Sequence, residues 1–213
     1  DIFVFLDDVN FRKGGFINRN YIVDRTGKAT RFTFPVRQQS SNKKINEHVY
    51  ADPGKKPIKT FRQCYGNVDA NNKYRSIFEQ VVTESAGSNV AELNAKSIIR
   101  IIRAIGLATE FLVSSDIDHD STKTGEARVL SLCNRLGARR YINLPGGRAL
   151  YSPDRFARHG IDLKFLDSPA PGRQPDHTAV HPSFLHYLMT DRSLDESANR
   201  LLATNQNPDY PED

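Results

Sequence analysis

The chain predicts an α/β fold, specifically a single-domain, Rossmann-like, mostly parallel sheet with helical crossovers, and three observations carry that expectation. Ile2 to Leu6 is an unbroken apolar run, the pattern of a strand buried on both faces. Apolar residues recur at helical spacing in two later stretches, each closed by glycine: Ile98, Ile101, Ile102 and Ile105 before Gly106, and Val129, Leu130, Cys133 and Leu136 before Gly137. Short strand-like runs alternate with the helical ones, the order that parallel strands with crossovers require.

In chain order, strands are expected at Ile2 to Leu6 and Ala29 to Val36, with an edge strand at Ile45 to Tyr50. Lys59 to Val82 reads as mostly helical with an interruption at Gly66, and the isoleucine helix precedes a strand at Glu110 to Val113. Thr124 to Leu136 is a further helix. A strand at Arg140 to Asn143, a short helix at Pro153 to His159 and a strand at Ile161 to Leu166 follow. Residues 1–167 make one α/β domain. Residues 168–182, with three prolines between Ser168 and Asp176, read as a linker or lid, and 183–213 as a C-terminal helix and polar tail of the same domain. With 213 residues, 38% of them hydrophobic, the chain can bury one sizeable core. No apolar run reaches the length of a membrane span.

The net charge is +5, and its distribution says more than its sum. Residues 1–75 hold 15 Lys and Arg against 7 Asp and Glu, so the basic excess lies wholly in this part. It is scattered through loops beside carboxylates, without zinc-finger spacing, an RNA-recognition signature or interleaved aromatics, which favours a small phosphorylated ligand over nucleic acid. Cys64 and Cys133 show no metal-ligand spacing and read as unpaired thiols of a reducing cytoplasm.

In open α/β sheets the ligand crevice lies beyond the carboxyl ends of the strands, and three such ends carry candidate chemistry. Asp7 and Asp8 follow the first strand and are candidate catalytic carboxylates, able to act as a general base or to bind magnesium. Arg12, Lys13, Asn18, Arg19 and Asn20 come next and offer donors for phosphate or carboxylate. Ser114 and Ser115 follow the strand TEFLV, with hydroxyls that bind an anion or cap a turn. Gly146 and Gly147 permit close backbone approach, and Arg148 can clamp an anion. These three ends are expected on one rim.

Other patterns fail. Asp116, Asp118 and Asp120 open like a calcium loop, but Ser121 and Ala127 stand where glycine and glutamate are required. His177, His181 and His186 are broken by Pro182 and lack the HExxH pattern, so no histidine metal site is expected. No serine sits in a GxSxG elbow.

FVFLDDVNF followed by INRN resembles the signature of the WbqC-like family, proteins associated with bacterial O-antigen and other surface-polysaccharide gene clusters. The strand TRFTFPV with Arg37, ELNAKSIIRIIRAIGLATEFLVSSDI at Glu92 to Ile117, LGARRYINLPGGRALY at Leu136 to Tyr151 and FARHGIDLKFL at Phe156 to Leu166 resemble the family in the same order. Members usually begin with an additional strand and turn, so this chain, opening at Asp1, looks like a fragment without that element. SFLHYLMTD at Ser183 to Asp191 resembles a family helix, with His186 where an aspartate is usual.

The resemblance implies a cytoplasmic role in lipopolysaccharide biosynthesis, with transfer of an acyl or aminoacyl group such as glycine to a nucleotide-linked amino sugar. Two alternatives use the same rim: a nucleotidyl transferase or adenylate-forming ligase, and a non-enzymatic sugar-nucleotide-binding or scaffold protein.

Overall fold

The structure, a computed structural model, describes residues 1–24, 26–67, 72–166 and 183–190. The expected linker and polar tail, with His177 and His181, lie outside them. The described residues gather into two compact units: residues 1–111 with the helix Phe184–Thr190, and residues 112–166. Strand and helix are mixed throughout. Among the described residues the strands form three two-stranded sheets in place of one continuous sheet.

In the first unit, β1 (Ile2–Phe5) pairs with the start of β4 (Glu110–Val113), where the Glu110 N–H donates to the Asp1 carbonyl at 3.2 Å. The expectation that β1 is buried on both faces is corrected, because Ile2 and Phe3 are 46% and 49% exposed. With a single neighbouring strand, its apolar residues serve ring packing: Phe3 and Phe5 project to one side, and Phe111 lies 6.2 and 5.8 Å from their centroids.

A strand that the sequence reading passed over comes next. β2 (Arg19–Val23) pairs antiparallel with β3 (Ala29–Thr33), Arg19 opposite Thr33 and Val23 opposite Ala29. The connecting turn is organised by Asp24, whose Oδ1 accepts from the Thr26 N–H, the Thr26 hydroxyl and the Lys28 N–H. Those bonds, the Thr26 hydroxyl first, hold the Asp24 carboxyl below its usual range. Gly27 supplies the positive φ of 83°.

Ile45 to Tyr50 is likewise corrected from an edge strand. Ile45–Glu47 is a 3-10 turn, closed by the Lys44 N–H donating to Glu47 Oε2 at 2.6 Å, and only isolated bridges join Val36 to Tyr50 and Val49 to Asn89.

The helical stretch interrupted at Gly66 is two helices, α1 (Lys56–Tyr65) and α2 (Lys73–Ser85), with Gly66 at the first C-cap and the Asn72 side chain capping the second. Phe61 of α1 stacks on Phe78 of α2 at 4.4 Å. α3 (Val90–Ile105) is capped by Asn89 and ends at Gly106, whose φ of 93° closes the helix in the left-handed conformation. A part-buried, two-bonded Arg100–Glu84 pair at 2.8 and 3.0 Å ties α3 to α2, and the Arg100 hydrogen bonds lower the Glu84 pKa. α6 (Phe184–Thr190) closes this core with Leu185, Leu188 and Met189.

The second unit contains α4 (Gly125–Arg135), β5 (Arg140–Asn143), α5 (Pro153–Arg158) and β6 (Asp162–Phe165). β5 and β6 are parallel with α5 in their connection, the arrangement expected for this part of the sequence. Phe156 is wholly buried and stacks on Tyr141 at 5.5 Å, with Val129, Leu130, Cys133 and Ile161 around them.

Candidate functional site

Asp7 and Asp8 leave β1 and turn inward, each only 7% exposed. Asn46 holds the first of them twice: its N–H donates to the Asp7 carbonyl at 3.0 Å, and its Nδ2 donates to Asp7 Oδ2 at 2.8 Å. The Asn46 carbonyl in turn accepts from Asn89 Nδ2 at 2.6 Å, the same residue whose Oδ1 caps α3. The Asp7 carboxylate is thus part of a connected polar chain.

From Arg12 to Arg19 the chain makes a compact loop. Gly14 has a φ of 76°, and a Cβ on Gly15 would stand 3.2 Å from the Arg12 carbonyl. Arg19 folds back over this glycine pair, its Nε donating to the Gly15 carbonyl at 2.9 Å, so that the guanidinium plane is fixed through one nitrogen. Arg12 and Lys13 are exposed. Asn18 is buried: its Nδ2 donates to the Phe34 carbonyl at 2.8 Å. Asn20 Oδ1 accepts from the Tyr21 N–H at 2.9 Å.

Asn18, Arg19 and Asn20 come together in the lining of a cavity of about 460 Å³ within the first unit. Its body is apolar, formed by Phe32, Phe34, Phe78, Val81, Leu93 and Ile101 among others, and Ser183 to Leu185 form one side. Among the described residues Arg19 is the one charged residue in the lining. Such a cavity, mostly apolar with a few placed polar groups, is the usual form of a small-molecule site.

Sequence reasoning missed the polar residues facing this cavity from the helix. Asn94 Nδ2 donates to the Ile17 carbonyl at 2.8 Å, and the Tyr50 hydroxyl donates to Asn94 Oδ1 at 2.8 Å. Burial pushes the Tyr50 phenol pKa up, so it remains a donor. The signal was present: Asn94 and Ser97 interrupt the apolar stripe of α3 between Leu93 and Ile101. Nearby, His48 is buried with Nδ1 at 2.7 Å from the Lys44 carbonyl and Nε2 accepting from the Ser40 N–H at 3.1 Å. Both ring nitrogens are engaged, which makes it a packing histidine against Phe11 at 4.5 Å.

The remaining predicted site residues belong to the second unit. Ser114 is fully buried at the start of a 3-10 turn and Ser115 is exposed. Gly147 is buried under Asn143, whose Nδ2 would lie 2.6 Å from an added Cβ, whereas Gly146 faces open space. The Arg148 guanidinium lies 5.0 Å above the Phe165 ring.

Within the same unit Asp118 pairs with Arg135 at 3.6 Å, and Asp120 accepts from the N–H and hydroxyl of Thr122. No cluster of three or more His, Cys, Asp or Glu is placed to hold a metal among the described residues. Cys64 and Cys133 are both buried free thiols, and burial pushes the latter up to about 11. No helix among the described residues is long and apolar enough to cross a membrane.

The WbqC-like protein family model matches residues 1–190 of the 213, and the chain belongs to that family. Comparison with curated proteins finds no significant match. Comparison with solved structures finds none either. Membership is consistent with a role related to polysaccharide biosynthesis.

Proposed function

We propose that this protein acts in the cytoplasm in bacterial surface-polysaccharide biosynthesis, transferring an acyl or aminoacyl group from an activated ester or thioester donor, whose alcohol or thiol departs, to the amine of a nucleotide-linked amino sugar. The cavity that Asn18, Arg19 and Asn20 share, within a chain matched by the family over residues 1–190, is the observation that carries this reading. Asp7 and Asp8 are carboxylates that can take a proton from an attacking amine, and Arg19 offers a planar cation to the carboxylate or phosphate of a bound reactant. The basic excess of residues 1–75 favours an anionic acceptor.

The test is incubation of the purified chain with nucleoside-diphosphate amino sugars and a panel of acyl and aminoacyl donors, read by mass spectrometry. A sugar nucleotide heavier by one acyl group supports the reading. Pyrophosphate release from a nucleoside triphosphate without acylation would replace it with a nucleotidyl transferase or ligase. Tight binding of the sugar nucleotide without turnover across the panel would replace it with a carrier or scaffold role.

A further inference from the structure

From the same cavity we infer that the protein binds an apolar monocarboxylic acid or its acyl group, with the hydrocarbon part inside the cavity and the carboxyl end at Arg19. The wall is aromatic and aliphatic, and among the described residues Arg19 contributes the one charge. The cavity is thus read as the place of the acyl reactant and not of the nucleotide sugar, whose two phosphates and many hydroxyls would be left mostly unpaired against such a surface. A carboxylate with a hydrocarbon body matches both parts.

The volume agrees. At about 30 Å³ for each water-sized group, a cavity near 460 Å³ takes roughly fifteen such groups, enough for a medium-length, branched or aromatic acid and far more than glycine needs. The entrance is apolar as well. Phe16, Ile98 and Phe184 line the cavity while remaining 68%, 41% and 50% exposed, which marks a rim where a hydrocarbon can enter. Asn94 and Ser97 break the apolar wall on the α3 side and suit one further hydrogen bond to the ligand.

This names the class of acyl group for the transfer proposed above and rests on that reading only for the transfer; the binding stands or falls by itself. The experiment is calorimetric titration of the full chain with acetate, butyrate, hexanoate, octanoate and phenylacetate, alongside hexanamide as the neutral counterpart. Burying one methylene is worth about 0.8 kcal/mol, so affinity is expected to rise about fourfold per methylene along the straight-chain series. Arg19→Gln is expected to abolish the preference for hexanoate over hexanamide while leaving hexanamide binding in place. Ser97→Phe, which fills the cavity, is expected to suppress both ligands. If that variant does not fold, Arg19→Gln still decides the matter. Absence of binding, affinity that is flat along the series, or a carboxylate preference untouched by Arg19→Gln would overturn the inference. Acid binding without acyl transfer would preserve it and overturn the transferase reading; transfer of glycine alone, without binding of the longer acids, would do the reverse.

Discussion

Asn18 and Phe34 hold each other through two hydrogen bonds: the Asn18 side-chain amide donates to the Phe34 carbonyl at 2.8 Å, and the Phe34 N–H donates to the Asn18 carbonyl at 2.8 Å. The first asparagine of the INRN motif thereby fixes the entry to the β2–β3 hairpin and one wall of the cavity. Its donor is committed to the backbone, whereas the guanidinium of Arg19 next to it is anchored through Nε. Two adjacent residues of one motif thus have different mechanical status.

Asn18→Ala is therefore expected to destabilise the protein. The variant leaves a buried carbonyl without its partner, a loss of about 1–3 kcal/mol. Thermal melting with ligand titration of the folded fraction checks this. A melting temperature equal to the parent's would show that the Phe34 carbonyl finds another donor.

Arg19→Lys should have the opposite profile. The substitution keeps the charge and removes the planar fork, so melting should change little while affinity for a carboxylate or phosphate falls. Charge-assisted hydrogen bonds contribute about 1.5–3 kcal/mol, so the loss should be roughly ten- to a hundredfold. Calorimetry against the same ligand in both proteins measures it, and because desolvated pairs are screened less than exposed ones, rising ionic strength should weaken the variant more than the parent if the fork grips a largely desolvated anion.

Asn46→Ala separates anchoring from chemistry at the acid pair. Removing the amide takes the 2.8 Å donor from Asp7 Oδ2, with an expected loss of about 1–3 kcal/mol in stability for a carboxylate that is 7% exposed. Asp8→Asn in the same assay should leave melting closer to the parent and reduce transfer. Equal melting losses in both variants would assign both carboxylates to the fold.

The sequence makes the helices legible for a physical reason. The spacing of Ile98, Ile101 and Ile105 and the glycine at 106 are local signals, and α3 ends where they say. The same is true of β5, α5 and β6. What failed was inference from apolar runs to burial and sheet order, which depend on partners remote in sequence. Ile2 to Leu6 reads as doubly buried, yet among the described residues β1 has one strand neighbour and packs its rings on Phe111. At the candidate site, Arg19 and Asn20 stand out in the sequence for their donor chemistry, and they lie on a strand of a hairpin in the lining of the cavity. Asn94, Tyr50 and Asn46 stayed hidden because their roles arise from bonds to residues 39 to 77 positions away.

In the second unit the two adjacent glycines should respond differently. An alanine Cβ at 147 would stand 2.6 Å from Asn143 Nδ2 and 3.0 Å from its Cγ, displacing a side chain whose Oδ1 accepts from the Leu144 N–H at 2.7 Å. At 146 the Cβ meets nothing within 4 Å. Gly147→Ala is expected to cost about 1–3 kcal/mol, and Gly146→Ala to be close to neutral. Denaturant melts of the two variants make the comparison, and equal midpoints would show that Asn143 can rotate away freely.

The last prediction concerns acid. His186 joins α6 to α1: its Nδ1 lies 2.9 Å from the Tyr65 hydroxyl, and burial pushes the Tyr65 phenol up in pKa, so the phenol donates and the imidazole accepts. Burial also lowers the pKa of His186 below its ordinary 6.5. The folded state accordingly takes up its proton at lower pH than the unfolded chain does. As pH falls through 6.5 the unfolded state binds more protons, so the contribution of His186 to stability, complete above that value, declines until the pH passes below the lowered folded pKa. Protonation also removes the Nδ1 lone pair that receives the Tyr65 hydrogen. His186→Gln retains an amide oxygen as acceptor without the titration. The parent should therefore lose more melting temperature between pH 7.5 and 5.5 than the variant does, and the hydrogen-exchange protection of Phe184–Thr190, taken relative to the intrinsic rate at each pH, should fall over the same interval in the parent alone. Identical pH profiles in the two proteins would show that docking of this helix does not depend on the protonation of His186.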